Sequence, residues 1–169
     1  MPITPLHGLA FMSFYFKNRE RVDPLALIIS TTFIDLEPLY YILVKEPLDH
    51  RIWHSFAASI TIYPIFIALG VFAVEHLLEG RLWSIYNLLR LKPSQVMYPI
   101  SWIYLCSLLG GVSHIFLDMF THKNMPYVIY PLANGNPFYI GQASIIVEIT
   151  VILLTIHSCN RWLRAQTPR

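Results

Sequence analysis

Five apolar runs, at about 3–16, 24–44, 53–78, 97–121 and 142–160, occupy most of the chain. A helix needs about 20 apolar residues to cross a bilayer. Runs two to five meet that length, and the first is short for a full crossing. Four or five spans use most of the 169 residues and leave no room for a separate soluble domain. The composition agrees: 55% of residues are apolar, 13% are charged and the mean hydropathy is +0.50. A soluble domain carries about 25% charged residues. So little charge excludes both a disordered chain and a water-soluble enzyme with a solvated shell. Two cysteines cannot build a disulfide framework. A net charge of +2, scattered along the chain, offers no nucleic-acid surface. The expected fold is all-α: a polytopic transmembrane bundle of four to five spans, forming one domain over 1–169.

The basic residues set the expected topology. Lys17, Arg19 and Arg21, then Arg81, Arg90 and Lys92, then Arg161, Arg164 and Arg169 fall on one side of the spans. The opposite loops hold Lys45, Arg51 and Lys123. The positive-inside rule places the first nine in the cytoplasm and the N-terminus outside, in a cell membrane. The first run lacks a basic leader and an A-x-A site, so it does not read as a signal peptide. Segment 80–92 carries Leu82, Tyr86 and Leu89 at helical spacing and reads as an interfacial helix on the inner side. Segment 122–141 is rich in turn residues and in Tyr and Phe, and reads as a loop over the outer face.

Ionisable groups inside a membrane are costly and mark a site by default. In this topology five of the seven histidines (His7, His50, His54, His114 and His122) gather near the outer leaflet, with Asp35, Glu37 and Asp118. His76 and His157 fall at inner ends of spans. Ser113-His-Ile-Phe-Leu-Asp-Met-Phe-Thr-His122 places His114, Asp118 and His122 at i, i+4 and i+8. On a helix they form one stripe, each step about 40° round and roughly 6 Å along. A His and an Asp one turn apart can share one ion at about 2.0–2.2 Å. They can also serve two ions about 3.5–4 Å apart. Gly110-Gly111 below them would let another backbone approach. His50 and His54 repeat the i, i+4 spacing at the mouth of run three. In Asp35-Leu-Glu-Pro38, the proline disfavours helical geometry at Glu37. A break there could turn both carboxylates toward one cavity. Imidazole mixed with carboxylate, without thiolate, fits zinc or a similar divalent metal. His7, Asp35, His50, His54, His114 and Asp118 are the candidate ligands, more than one structural zinc needs. They imply one or two ions. Glu37 and His122 are the candidate general base or acid.

The pattern resembles the membrane-bound metal-dependent hydrolase family, an inner-membrane family of the LexA-binding type. The matching residues are Thr4-Pro-Leu-His7-Gly8, Phe33-Ile-Asp35-Leu-Glu37-Pro38, His50-Arg-Ile-Trp-His54-Ser55 and Ser113-His114-Ile-Phe-Leu-Asp118-Met-Phe-Thr121 with Tyr130-Pro131 after it. That family shows L-P-D-x-D-H in place of the second and H-R-G-x-T-H-S in place of the third. This chain has Glu37 for an Asp, Pro38 for a His, a third motif one residue short and without its Thr, and His122 where a Pro often stands. The resemblance implies metal-dependent hydrolysis. A further likeness in ligand order to soluble zinc-dependent phospholipases C implies a phosphoester. The expected function is therefore a membrane-embedded hydrolase. It would cleave a phosphoester of a lipid or other amphiphile near the outer leaflet by metal-activated water. Arg51 is available to an anionic headgroup or as an interfacial anchor. Two alternatives remain: a structural metal site in a membrane assembly or adaptor, and a metal-ion or proton transporter.

Overall fold

A computed structural model of the chain describes residues 4–46, 50–91 and 93–165. Lys92 and Arg169, two of the topology-setting basic residues, lie outside the described residues. The described residues are helical and contain no strand. Helix α1 covers Thr4–Lys17, α2 Pro24–Thr32, α3 Leu36–Leu43, α4 Phe56–Ile60, α5 Ile62–Leu88, α6 Ile100–Thr121 and α7 Ala143–Arg164. Four stretches are long and apolar enough to cross a membrane: Pro24–Leu43, Ile62–Leu88, Ile100–Thr121 and Ala143–Arg164. The protein is thus an all-α bundle with four candidate spans, and α1 is a shorter helix packed beside them. Many large apolar side chains stay exposed, including Ile145, Ile146, Ile149, Ile152 and Leu153 along α7. A lipid environment accounts for such a face; water does not.

Proline decides where the runs break. Pro38 has no N–H and clashes with the carbonyl four residues back, that of Ile34. The second run accordingly tightens into a 3-10 turn over Phe33–Asp35 and restarts as α3. Pro64 acts likewise on the Ile60 carbonyl. Run three breaks at Thr61, whose φ of −104° and ψ of −85° separate α4 from α5. The helix expected over 80–92 follows a kink in α5 at Leu78, where φ is −121° and ψ is 19°, and it ends at Leu88. Leu82 and Tyr86 are buried, while Leu89 is about half exposed.

Small and hydroxyl side chains draw the helices together. Residues α2 and α6 approach so closely that a Cβ on Gly110 would overlap the Ser30 hydroxyl. One on Gly111 would stand 2.9 Å from the Tyr63 ring. Tyr63 donates to the Ser30 carbonyl at 2.7 Å, tying α5 to α2. Between α1 and α7, the Ser158 hydroxyl donates to the Ala10 carbonyl at 3.0 Å and accepts from the Ser13 N–H at 2.9 Å. Such polar contacts hold helices together where lipid removes the hydrophobic drive. The main core (Ala26, Ile34, Tyr63, Val71, Ile103 and Ile115 among others) lies between α2, α5 and α6. It supports the first turns of the 3-10 break and the last turns of α6, where the polar residues converge.

Candidate metal centre

The last two turns of α6 present His114 and Asp118 on one face, as their spacing requires, and both are buried. His114 Nε2 lies 3.1 Å from Asp118 Oδ2 and 3.3 Å from Asp35 Oδ1. His54 Nε2 lies 3.6 Å from the same Asp35 oxygen. Ligands about 2.0–2.1 Å from a tetrahedral ion stand about 3.3 Å apart. These three separations are close to that value. Asp35, His54, His114 and Asp118 each offer one donor atom within 4.8 Å of the others. His54 Nε2, His114 Nε2 and Asp118 Oδ1 are buried without a hydrogen-bond partner. Orphaned polar atoms are rare in native interiors and call for an explanation. A cation supplies one, so the residues present fit a metal ion. His50, Asp118 and His122 form a second group. Asp118 is common to both groups, with Oδ1 3.8 Å from His122 Nδ1.

The other ring nitrogens are fixed by the fold. Thr31 stands in the last turn of α2, where carbonyls lose their helical partners. Its carbonyl accepts the Nδ1–H of His114 at 2.8 Å. That bond leaves the Nε2 lone pair facing Asp35 and Asp118. His54 ends a 3-10 turn over Ile52–His54, and its Nδ1–H donates to Glu37 Oε2 at 2.8 Å. Asp35 and Glu37 thus grip one imidazole from opposite ends. A regular helix would have pointed them apart; the turn over Phe33–Asp35 makes the grip possible. Backbone carbonyls and carboxylates commonly orient metal-binding histidines in this way. Burial alone would depress the basicity of His54. The neighbouring carboxylates of Asp35 and Glu37 outweigh burial and hold it above the ordinary imidazole value. The negative surroundings that favour a proton there favour a metal cation as well.

The remaining candidates fall around this centre. His7, on α1, reaches His114 with its Nδ1 3.3 Å from that of His114. Burial, and then the neighbouring His114, hold it below the usual imidazole range. It stands behind His114, outside both donor groups. His50 packs against His54 and His122, with ring centroids 4.6 and 4.7 Å apart. All five outer histidines are thereby linked ring to ring. His76 instead packs on Phe72, and His157 lies beside Arg161. Glu37 accepts hydrogen bonds at both carboxylate oxygens. Its Oε1 takes the Trp53 N–H, and its Oε2 takes the N–H groups of Arg51 and His54 as well as the His54 ring. Arg51 pairs with Glu46 at 3.0 Å and lies 3.9 Å above the Tyr41 ring. The Thr31 carbonyl has no signature in sequence, since any residue there supplies one.

Loop 122–141 is anchored to the same end of α6. The Asn136 amide donates at 2.7 Å to the carbonyls of both Met119 and His122. Met125 and Val128 are buried beneath the loop, and the Val128 carbonyl accepts the Phe56 N–H at 2.9 Å. Asp35 retains 20% exposure and His122 17%, so the centre is open at one edge.

The sequence profile of a domain of unknown function (DUF4184) matches residues 1–133. The chain belongs to the DUF4184 family. The matched stretch contains both donor groups, Glu37 and His7, and ends inside the loop before α7. The DUF4184 region thus coincides with the polar centre and the helices that build it. Neither a curated protein nor a solved structure matches the chain.

Proposed function

We propose that this protein is a membrane-embedded, metal-dependent hydrolase, cleaving a phosphoester of a lipid or other amphiphile. The observation that carries the reading is the buried quartet of Asp35, His54, His114 and Asp118, with unpartnered Nε2 atoms and one edge open. A structural ion would favour a closed set of ligands. Here a second donor group adjoins the first through Asp118, which suits two ions held by a shared carboxylate. Zinc matches the donor chemistry. A divalent ion bound there supplies Lewis acidity toward a phosphoryl or ester oxygen and acidifies water.

The chain's own residues do the rest. His114 and His54 present neutral nitrogens because Thr31 and Glu37 hold their other N–H groups. Asp35 borders the opening. His122, partly exposed and hydrogen-bonded through Nδ1 to the Thr121 hydroxyl, is the imidazole placed to exchange a proton with water if the second group holds no ion. A cleft of about 250 Å³ lined by Phe33, Leu36, Tyr40, Tyr41 and Trp53 opens beside Glu37. Its apolar and aromatic walls suit the chain and headgroup boundary of an amphiphile. Under the positive-inside reading this face lies at the outer leaflet. The likeness of the His and Asp motifs to membrane-bound metal-dependent hydrolases supports the same chemistry.

The test is metal content per chain in detergent-solubilised protein purified without chelator, for wild type and Asp118→Ala. It is followed by release of headgroup or phosphate from phospholipid and lipid-phosphate micelles. One or two zinc-like ions in wild type, lost in the variant, with turnover only by the loaded wild type, is the expected result. No bound metal after add-back overturns the metal reading. Bound metal without turnover on the panel overturns the hydrolase reading.

A further inference from the structure

A second polar cluster lies at the other end of α2. Asp23 caps the helix, its Oδ1 accepting the Leu25 N–H at 2.8 Å. Glu75, on α5, accepts the Tyr98 N–H through Oε2 at 3.2 Å. Both residues are fully buried, and their carboxyl groups are close neighbours. The oxygens left for that contact are Asp23 Oδ2 and Glu75 Oε1, and neither has a donor. A third orphan stands with them. The buried Tyr86 hydroxyl also lacks a partner, and its foremost electrostatic neighbours are Asp23 and Glu75.

Two adjacent buried carboxyl groups do not ionise together, and a proton on one can be donated to the other. The titratable groups facing the pair are Tyr15 from α1, Tyr86 from α5, Tyr98 before α6 and Cys106 from α6. None of these is a cation; Arg19 acts on Tyr15, whose ring lies 5.9 Å from its guanidinium. A hard metal ion is a poor alternative. Magnesium takes six oxygens and calcium six to eight, whereas three orphaned oxygens are present and the others already face N–H groups. One proton, by contrast, completes the inventory. It joins Oδ2 to Oε1, and the Tyr86 O–H satisfies itself by donating to the remaining charge.

We infer that Asp23 and Glu75 form a second site, an acid pair that holds one proton between Asp23 Oδ2 and Glu75 Oε1, with Tyr86 donating to it. The remaining negative charge rests best on Asp23, at the positive end of the α2 dipole, and the proton on Glu75. The pair pins the start of α2 to α5 and to the segment before α6. It is independent of the metal centre, which sits about 18 Å away along α2, 12 residues at 1.5 Å each. Burial pushes the Asp23 carboxyl up to about 6, so below that range the pair takes a second proton.

The experiment uses the full chain in detergent micelles, as wild type, Asp23→Asn, Glu75→Gln and the double variant. Infrared spectra are titrated with pH to follow the carbonyl band of a protonated carboxylic acid. The expected result is a wild-type acid band that bleaches as pH rises and is absent from the double variant. The melting temperature gives a second readout that needs only one single variant to fold. An acid with a raised folded pKa contributes fully below its unfolded value, about 3.9, and loses that contribution as pH rises through the folded value. Wild type should therefore lose melting temperature relative to Asp23→Asn over the pH range in which the shared proton leaves, the same range in which the acid band bleaches. The difference cancels the metal centre, which is intact in both. Superimposable spectra for wild type and double variant, or parallel melting profiles, would overturn the pair. So would a stoichiometric sodium, magnesium or calcium ion held by wild type and lost on double substitution.

Discussion

Replacing Glu37 by Gln asks whether the metal centre depends on a residue that never touches the ion. Glu37 accepts four hydrogen bonds: Trp53 N at 3.1 Å on one oxygen, and Arg51 N at 2.9 Å, His54 N at 3.3 Å and His54 Nδ1 at 2.8 Å on the other. The amide keeps the shape but has one acceptor oxygen. If that oxygen stays with His54, the new NH2 faces the Trp53 N–H, and one donor is left unpaired. The bond to the ring also loses its charge assistance, which roughly doubles such a bond. A neutral hydrogen bond contributes about 1 kcal/mol net, so the two losses are on the order of 2 kcal/mol. Loss of an orienting partner lowers metal affinity about 10–100-fold, or roughly 1.4–2.8 kcal/mol. The two routes agree. The assay is competition with a chelator of known affinity for wild type, Glu37→Gln and Asp118→Ala. Glu37→Gln should bind 10–100-fold more weakly, while Asp118→Ala should not retain the ion. Unchanged affinity in Glu37→Gln would refute the orienting role. Unchanged metal content with abolished turnover would instead make Glu37 the proton acceptor.

Three further outcomes are expected. His122→Ala removes a donor from the second group and leaves the first intact, so a chain holding two ions should retain one by elemental analysis. Metal binding should release protons, measurable in weakly buffered solution. Because the His54 proton is held above its ordinary value, apparent affinity should rise with pH until that proton is gone. Gly110→Ala forces a methyl into the Ser30 hydroxyl. Overpacking of this kind costs about 1–3 kcal/mol, so the melting temperature should fall, and Ser30→Gly in the same chain should restore part of it.

The helices were legible because length and apolarity fix them: runs two, four and five became candidate spans close to their sequence limits. His114 and Asp118 were legible because i and i+4 share a face on any helix. The grip of Asp35 and Glu37 on His54 was not. It needs two 3-10 turns, over Phe33–Asp35 and Ile52–His54, to meet across the bundle. Pro38 signalled a break, but its steric effect falls four residues upstream, so the turn lies before Glu37. His7 turns its Nδ1 to the His114 ring, while its Nε2 is buried without a hydrogen-bond partner, an arrangement that sequence spacing does not reveal. Asp23 and Glu75 escaped notice for a plainer reason. Asp23 reads as an ordinary helix cap before Pro24, and Glu75 is a lone acid near the inner end of its run. Only the packing of α2 on α5 brings them together.

The two ends of α2 therefore pose the same electrostatic problem and resolve it differently. At each end buried carboxylates from separate helices converge, and at each end some oxygens or nitrogens lack partners. Around Asp35 and Asp118 the additional donors are imidazoles, whose nitrogens are aimed inward by Thr31 and Glu37. Imidazole and carboxylate together bind a divalent ion at short distances, and the 3.1–3.6 Å separations leave it room. Around Asp23 and Glu75 the additional donors are phenols and peptide N–H groups, which give a metal too few ligands and give an anion hydrogen bonds. There a proton is the cation that fits. What each cluster binds follows from the neighbours that surround its acids. Substituting His54 or His114 should therefore abolish metal retention without moving the acid band of Asp23 and Glu75, and Glu75→Gln should do the reverse.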